Sequence, residues 1–210
     1  EGTAVFASFN MKMKIPSLLS GLSITVSNGD NNTIMVDQVA FENNDSTLLA
    51  LTLNQQVFAE NDLLFSYTGN SVVSADSGLL QSVTEMPIIN NSRGEPLEIT
   101  SAEIDTLDLS IKLEFNKLVA YTIDQTRFFT ISVNDVTSPI TQLKIDTSIT
   151  NTAIINYSRT IRYGDVVTLS YTPGQMMSTN NGLLQAFSNL PVTNTYKEPT
   201  WNEIPGLVEA

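Results

Sequence analysis

Cysteine and histidine are both absent from the chain. Without cysteine no disulfide can form, so the fold must stand on its apolar cores alone. Without either residue, Ser–His–Asp and Cys–His nucleophile systems are excluded. Zinc and redox-metal sites lose their usual ligands as well. What remains is carboxylate, lysine, tyrosine or oxygen-ligand chemistry. Basic residues are also scarce, 10 against 22 acidic, for a net charge of −12. Phosphate backbones are repelled by that balance and no Lys/Arg cluster offsets it locally, so no nucleic acid is expected as a partner. Anionic membrane surfaces are disfavoured on the same ground. No apolar run approaches the roughly 18 residues of a membrane span, and no signal peptide opens the sequence. The chain starts at Glu1 in what reads as mid-domain sequence, so an internal piece of a larger protein is expected.

What is present is a duplication. Ser66-Tyr67-Thr68 recurs as Ser170-Tyr171-Thr172, Gly78-Leu79-Leu80-Gln81 as Gly182-Leu183-Leu184-Gln185, Pro87 as Pro191 and Asn90 as Asn194, all at one offset of 104 residues. With small gaps the match extends upstream. Phe9-Asn10 pairs with Phe115-Asn116, Ile24-Thr25-Val26 with Ile131-Ser132-Val133, and Asn61-Asp62 with Gly164-Asp165. The boundaries that follow are a first unit over 1–91, a second over 92–195, and a linker with the start of a following module over 196–210. Asn90 to Pro96 joins the units, its Gly94 and Pro96 ending one sheet and beginning the next. Nothing in the first unit matches Leu97–Asp105, the expected opening strand of the second, so that strand is expected either to lie upstream of Glu1 or to have been lost from the first unit.

Each unit reads as short alternating strands separated by Asn/Asp/Gly/Ser turns. Leu109, Ile111, Leu113 and Phe115 alternate with Ser110, Lys112 and Glu114. That period of two sends one set to a core and the other to water. Val167, Leu169 and Tyr171, and in the first unit Leu49, Leu51 and Leu53, behave alike. Clusters such as Asn28–Asn32, Asn43–Ser46 and Thr179–Gly182 are turn chemistry. No segment holds a helical period for more than one or two turns. The expected fold is all-β, with two tandem immunoglobulin-like β-sandwiches.

The run from Gly164 to Gly174, with Asn181–Asn189 and Val192-Thr193-Asn194, resembles the bacterial immunoglobulin-like repeats carried in tandem by large cell-surface and secreted proteins. The resemblance covers nearly all of the second unit and the second half of the first. It implies a secreted or cell-surface location in a bacterium. Such modules serve as spacers in adhesins, surface-layer proteins and polysaccharide hydrolases alike. The tail Trp201–Ala210, with Ile204-Pro205-Gly206-Leu207-Val208-Glu209-Ala210, resembles the opening of a family-six carbohydrate-binding module. That likeness implies a polysaccharide-digesting parent, such as an endoglucanase. Its catalytic and carbohydrate-binding modules would flank this segment, which would meet polysaccharide only indirectly.

Glycoside hydrolysis would need two carboxylates facing one sugar. Glu42, Asp45, Glu60, Asp62, Glu114, Asp124 and Asp165 are the candidates, nearly all in turn-like sequence where carboxylates cap turns. Glu114 falls on the outward face of a strand. Calcium needs only oxygen ligands, and Asn28–Asn32 and Glu42–Asp45 supply them, but without the Asp-x-Asp-x-Asp-Gly spacing of a dedicated loop. Plain turns are the favoured reading, so no cofactor, metal or catalytic residue is assigned. Sugar stacking needs exposed aromatic faces, and aromatics are only 8% of the chain, with Trp201 the one tryptophan. Tyr67 and Tyr171 occupy one repeat position and read as packed, each hydroxyl free to bond backbone. Phe9 and Phe115 read as core. Of the adjacent pair Phe128 and Phe129, only one can face inward, which leaves the other as the best exposed aromatic. Tyr196 and Trp201 flank Pro199, either as a docking hinge or as a stiffened spacer.

Three functions follow. The first is a non-catalytic spacer of a secreted polysaccharide hydrolase. The alternatives are an adhesin stalk and a glycan-binding module, the last disfavoured by the scarcity of aromatics.

Overall fold

The computed structural model describes residues 2–28, 32–106, 109–120, 125–145 and 151–198. It is all-β, with antiparallel sheets and no α-helix among the described residues. Among the described residues no helix is long and apolar enough to cross a membrane. Two compact units share the chain, Glu1–Glu95 and Pro96–Ala210, and the division falls inside the Asn90–Pro96 joint.

The first unit has six strands: β1 (Ala4–Ser8), β2 (Leu22–Val26), β3 (Thr33–Glu42), β4 (Asp45–Leu53), β5 (Leu63–Tyr67) and β6 (Val83–Ile88). Their order is β1-β4-β3-β2-β5-β6, every neighbouring pair antiparallel. Strand β3 serves both halves. Thr33–Met35 pair with β2, while Val36 onward pair with β4, with the register shifting between Val36 and Gln38. The two-residue hairpin between β3 and β4 needs positive φ at both central positions. Asn43 (φ 49°) and Asn44 (φ 61°) supply it, asparagine being among the few side chains that tolerate this region.

The second unit has eight strands: β7 (Ile99–Asp105), β8 (Ser110–Phe115), β9 (Phe129–Val133), β10 (Val136–Ser138), β11 (Ile140–Ile145), β12 (Thr152–Tyr157), β13 (Val167–Tyr171) and β14 (Phe187–Val192). They form two four-stranded sheets, β11-β12-β8-β7 and β10-β9-β13-β14, which together bury one core. Pro139 stands between β10 and β11 and has no N–H to donate. The run that is the single strand β3 in the first unit is therefore broken in two here. By position, β8 corresponds to β1, β9 to β2, β12 to β4, β13 to β5 and β14 to β6. Strand β7 has no counterpart among the described residues of the first unit, as the missing match to Leu97–Asp105 implies.

Each unit has its own core. Ile24, Ile34, Leu51 and Tyr67 are fully buried in the first, and Leu97, Ile111, Leu113, Ile131, Ile155 and Leu169 in the second. One layer is refilled in a volume-conserving way. Leu113 lies opposite Ala153 in the second unit, and Ala7 opposite Leu49 at the equivalent place in the first. Large and small exchange strands, and the summed volume stays the same.

Three expectations are corrected. Leu109 is not part of the inward set: it sits in the turn before β8 at φ 50°, with 56% of its surface exposed. Ser110, expected outward, is buried instead, because it opens β8 between Asp105 of β7 and Asn156 of β12. Phe128 is not an exposed aromatic. Phe129 takes the core position, and Phe128 packs half-buried against that core, edge-on to Tyr171 with ring centres 6.5 Å apart. Arg127 covers its ring at 4.7 Å.

Two buried tyrosines should respond oppositely to loss of the hydroxyl. The Tyr67 oxygen accepts the Val72 N–H at 3.0 Å, so Tyr67→Phe leaves a buried donor unpaired. It should cost about 1–3 kcal/mol in urea unfolding. The buried Tyr157 hydroxyl has no hydrogen-bond partner among the described residues, so Tyr157→Phe should be neutral or stabilising. Burial, helped by Tyr196 and Asp105, pushes the Tyr157 pKa up to about 12 from 10.0. The stability this group contributes is therefore complete below pH 10 and lost as pH rises toward 12. Tyr157→Phe should remove that alkaline loss.

Candidate functional site

The carboxylates singled out from sequence are dispersed over separate turns and strands. Asp45 follows the β3–β4 hairpin, and its Oδ1 accepts the Thr47 N–H at 2.9 Å and the Thr47 hydroxyl at 2.8 Å. Asp165 accepts the Arg162 N–H at 2.8 Å and the Asn134 side-chain amide at 2.7 Å. Glu114 lies on the outer face of β8, bound by Lys112 Nζ at 2.7 Å and by the Ser101 hydroxyl at 3.2 Å. Glu60 accepts the Glu95 N–H at 3.1 Å. Asp62 donates its backbone N–H to Asn28 Oδ1 at 2.6 Å. Glu42 ends β3 opposite Asp45. Asp124 lies outside the described residues. Among the described residues no group of three or more carboxylates gathers to hold a metal ion. Of the Asn28–Asn32 cluster, positions 29–31 lie outside the described residues. Asn28 itself donates to the Glu60 carbonyl at 2.5 Å.

The repeated residues converge on the backbone. Asn90 donates its amide to the carbonyls of Phe58 (2.7 Å) and Asn61 (2.8 Å) and accepts the Ser92 N–H. Asn194 makes the same three contacts, with Arg162 (2.8 Å), Asp165 (3.0 Å) and Tyr196. This geometry aligns Asn61 with Asp165, one residue away from the pairing of Asn61-Asp62 with Gly164-Asp165. Gly78 donates its N–H to Ser74 Oγ at 2.8 Å, and Gly182 does so to Ser178 at 2.9 Å. The two serine hydroxyls in turn bond Asp76 and Asn180. Sequence reasoning passed over Ser74 and Ser178. Their signal is Ser-x-(Asp/Asn)-x-Gly at the common offset.

Tyr171 accepts the Gly174 N–H at 2.9 Å as Tyr67 accepts that of Val72. A Cβ on Gly174 would stand 2.6 Å from Gln125 Oε1 and 2.7 Å from the Phe128 ring. Glycine is therefore what lets the loop close over the tyrosine. Asn90, Asn194, Ser74, Ser178, Tyr67 and Tyr171 are thus each occupied in holding a loop to its own sandwich.

The first unit carries a groove of about 940 Å³ between β1 and β6. Val5, Ala7, Phe9, Leu80, Met86 and Ile88 are among its walls. Both strands are ends of the sheet order, so each presents an edge to the groove. In the second unit β7 fills the equivalent space. The effect shows in the cores: Leu184 and Phe115 are buried there, whereas their counterparts Leu80 and Phe9 are only half-buried.

No family model and no curated protein matches the chain. Among solved structures, it is similar to the surface layer protein SbsC, domains 1–6, at 11% identity and a TM-score of 0.35. The likeness covers 95% of this chain and 25% of that one, so the chain spans about a quarter of that structure's length. The resemblances to immunoglobulin-like repeats and to a carbohydrate-binding module have no family match behind them, and the tail Trp201–Ala210, with Pro199, lies outside the described residues.

The acidic turns make a pH prediction. Backbone and hydroxyl donors hold Asp45 below its ordinary pKa of 3.8. The Ser74 hydroxyl and Gly78 N–H do so for Asp76, and the Arg162 N–H with Asn134 for Asp165. Glu114 is lowered from 4.5 by Lys112 and Ser101. A depressed folded pKa contributes stability that is present above the unfolded value and lost as pH falls through the folded one. Urea midpoints should therefore hold down to about pH 4 and fall below it. Replacing Asp45 and Asp165 by asparagine should flatten that fall, and an unchanged acid slope would contradict the assignment.

Proposed function

We propose that the two units are non-catalytic, immunoglobulin-like structural modules of a larger secreted or cell-surface bacterial protein. The observation that carries this reading is the fate of the repeated polar residues. Asn90, Asn194, Ser74, Ser178, Tyr67 and Tyr171 all bond backbone within their own unit. A duplicated site for catalysis or sugar would instead aim such groups at a shared open surface. The dispersed carboxylates support the same view, since an acid and its partner must face one bond.

In its finer form, the modules space a polysaccharide hydrolase's catalytic domain from a carbohydrate-binding module. The resemblance of Ile204–Ala210 to the start of such a module supports that form. A folded sandwich resists compression as a Gly/Ser linker does not, so each unit is a stiffer spacer element than a flexible linker of equal length. Anchoring the parent to insoluble substrate raises the effective concentration of its catalytic domain there, provided the arm spans the gap. The tandem repeat equally favours a second reading, the stalk of an adhesin.

The isolated chain should release no reducing sugar from cellulose, xylan or agar. Release that disappears on mutating a single named carboxylate would refute the non-catalytic reading. In the parent, deletion of residues 1–195 should leave activity on soluble substrate intact and lower it on insoluble substrate. Unchanged activity on both would remove the spacer form, and a parent without a catalytic domain would favour the stalk.

A further inference from the structure

We infer that the β1–β6 groove of the first unit is an acceptor site for one extended polypeptide segment with the apolar alternation of β7. That segment adds as a strand, antiparallel to β1 and parallel to the chain at Ile89. The template is the second unit. There β7 pairs antiparallel with β8, Ile104 opposite Ile111 and Ala102 opposite Leu113. Its other edge makes a parallel bridge, Glu103 to Thr193, and Leu97, just ahead of β7, makes another to Leu184. Backbone hydrogen bonds fix this second edge: Ile104 N–H to the Thr193 carbonyl at 2.9 Å, Thr193 N–H to Ala102 at 2.8 Å, and Leu97 N–H to Leu183 at 3.2 Å. Strand β7 thus ties the two sheets together, and Leu97, Ala102 and Ile104 are buried in doing so.

Every receiving position exists in the first unit. β1 and β8 make the same contacts with β4 and β12: Val5 pairs with Leu51 as Ile111 pairs with Ile155. An incoming strand in the β7 register would set its Ile104 equivalent against Val5 and its Ala102 equivalent against Ala7. Leu80 would receive the Leu97 equivalent, and Ile89 stands where Thr193 bonds β7. Ile89 is 86% exposed in the unfilled groove and Met86 50%. Apolar side chains beside open strand edges are what strand addition covers, main-chain hydrogen bonds giving affinity and alternate pockets giving specificity. A small apolar molecule would cover the side chains but leave both edges unpaired.

One position departs from the template and sets a preference. Glu103 of β7 lies opposite Lys112, and at the Lys112 place the first unit has Phe6, 56% exposed. The segment that fits this groove carries a β-branched or aromatic residue there in place of an acid.

The test uses the whole chain and a synthetic peptide with the sequence Pro96–Thr106. Affinity is read by titration calorimetry, the site by amide hydrogen exchange, and the mass of the complex by sedimentation. The expected result is a one-to-one complex with exchange slowed along β1 and at Ile89. Peptides carrying Ile104→Asp or Leu97→Asp should bind about ten-fold more weakly or less. The Glu103→Val peptide should bind roughly two- to five-fold more tightly. Because the substitutions are in the peptide, folding of the chain is untouched. Absence of binding, equal binding of the Ile104→Asp peptide, or protection elsewhere would each overturn the inference. So would a chain that self-associates along β1 and does not release on adding peptide.

Discussion

Two sheets that share one layer of apolar side chains must keep water from the faces of that layer and from its open edges. In this chain nothing covalent helps, since there is no cysteine. The second unit meets the condition with β7, which joins β8 on one side and Thr193 and Leu184 on the other. The first unit has the same faces but no such strand among its described residues, and its apolar layer is open along one side there. The difference in burial between Phe9 and Phe115, and between Leu80 and Leu184, follows from that single omission.

The loops are held by a second, polar device. Turns between strands leave backbone groups without ladder partners, and each must find one. Asn90 and Asn194 each satisfy two carbonyls with one amide. Ser74 and Ser178 hold the loop ahead of the last strand. Ser66 and Ser170 accept the N–H groups of Glu85 and Asn189 where that strand bulges. These residues recur in both units because few other side chains can reach a backbone group from a fixed position with the correct donors.

Much of this architecture was legible in the sequence because sandwich strands alternate. Val167, Leu169 and Tyr171 are buried as their spacing implies, as are Leu49, Leu51 and Leu53. Periodicity does not say where a strand begins, so Leu109 read as core when it is a turn residue. Ser110 read as outward because its burial comes from neighbours in β7 and β12. Phe128 depends on a glycine loop distant in sequence, which no local pattern encodes. The absent strand was visible as a gap in the duplication. The groove was not, because its walls come from the first strand and the last.

A strand equivalent to β7, found among the described residues of the second unit alone, is what separates two otherwise matching sandwiches. Native-state amide hydrogen exchange on the whole chain tests it most directly, since it reads opening free energies strand by strand. The amides of Ile24 and Tyr67 should open at lower free energy than those of their counterparts Ile131 and Tyr171. Equal protection in the two units, or greater protection in the first, would contradict it.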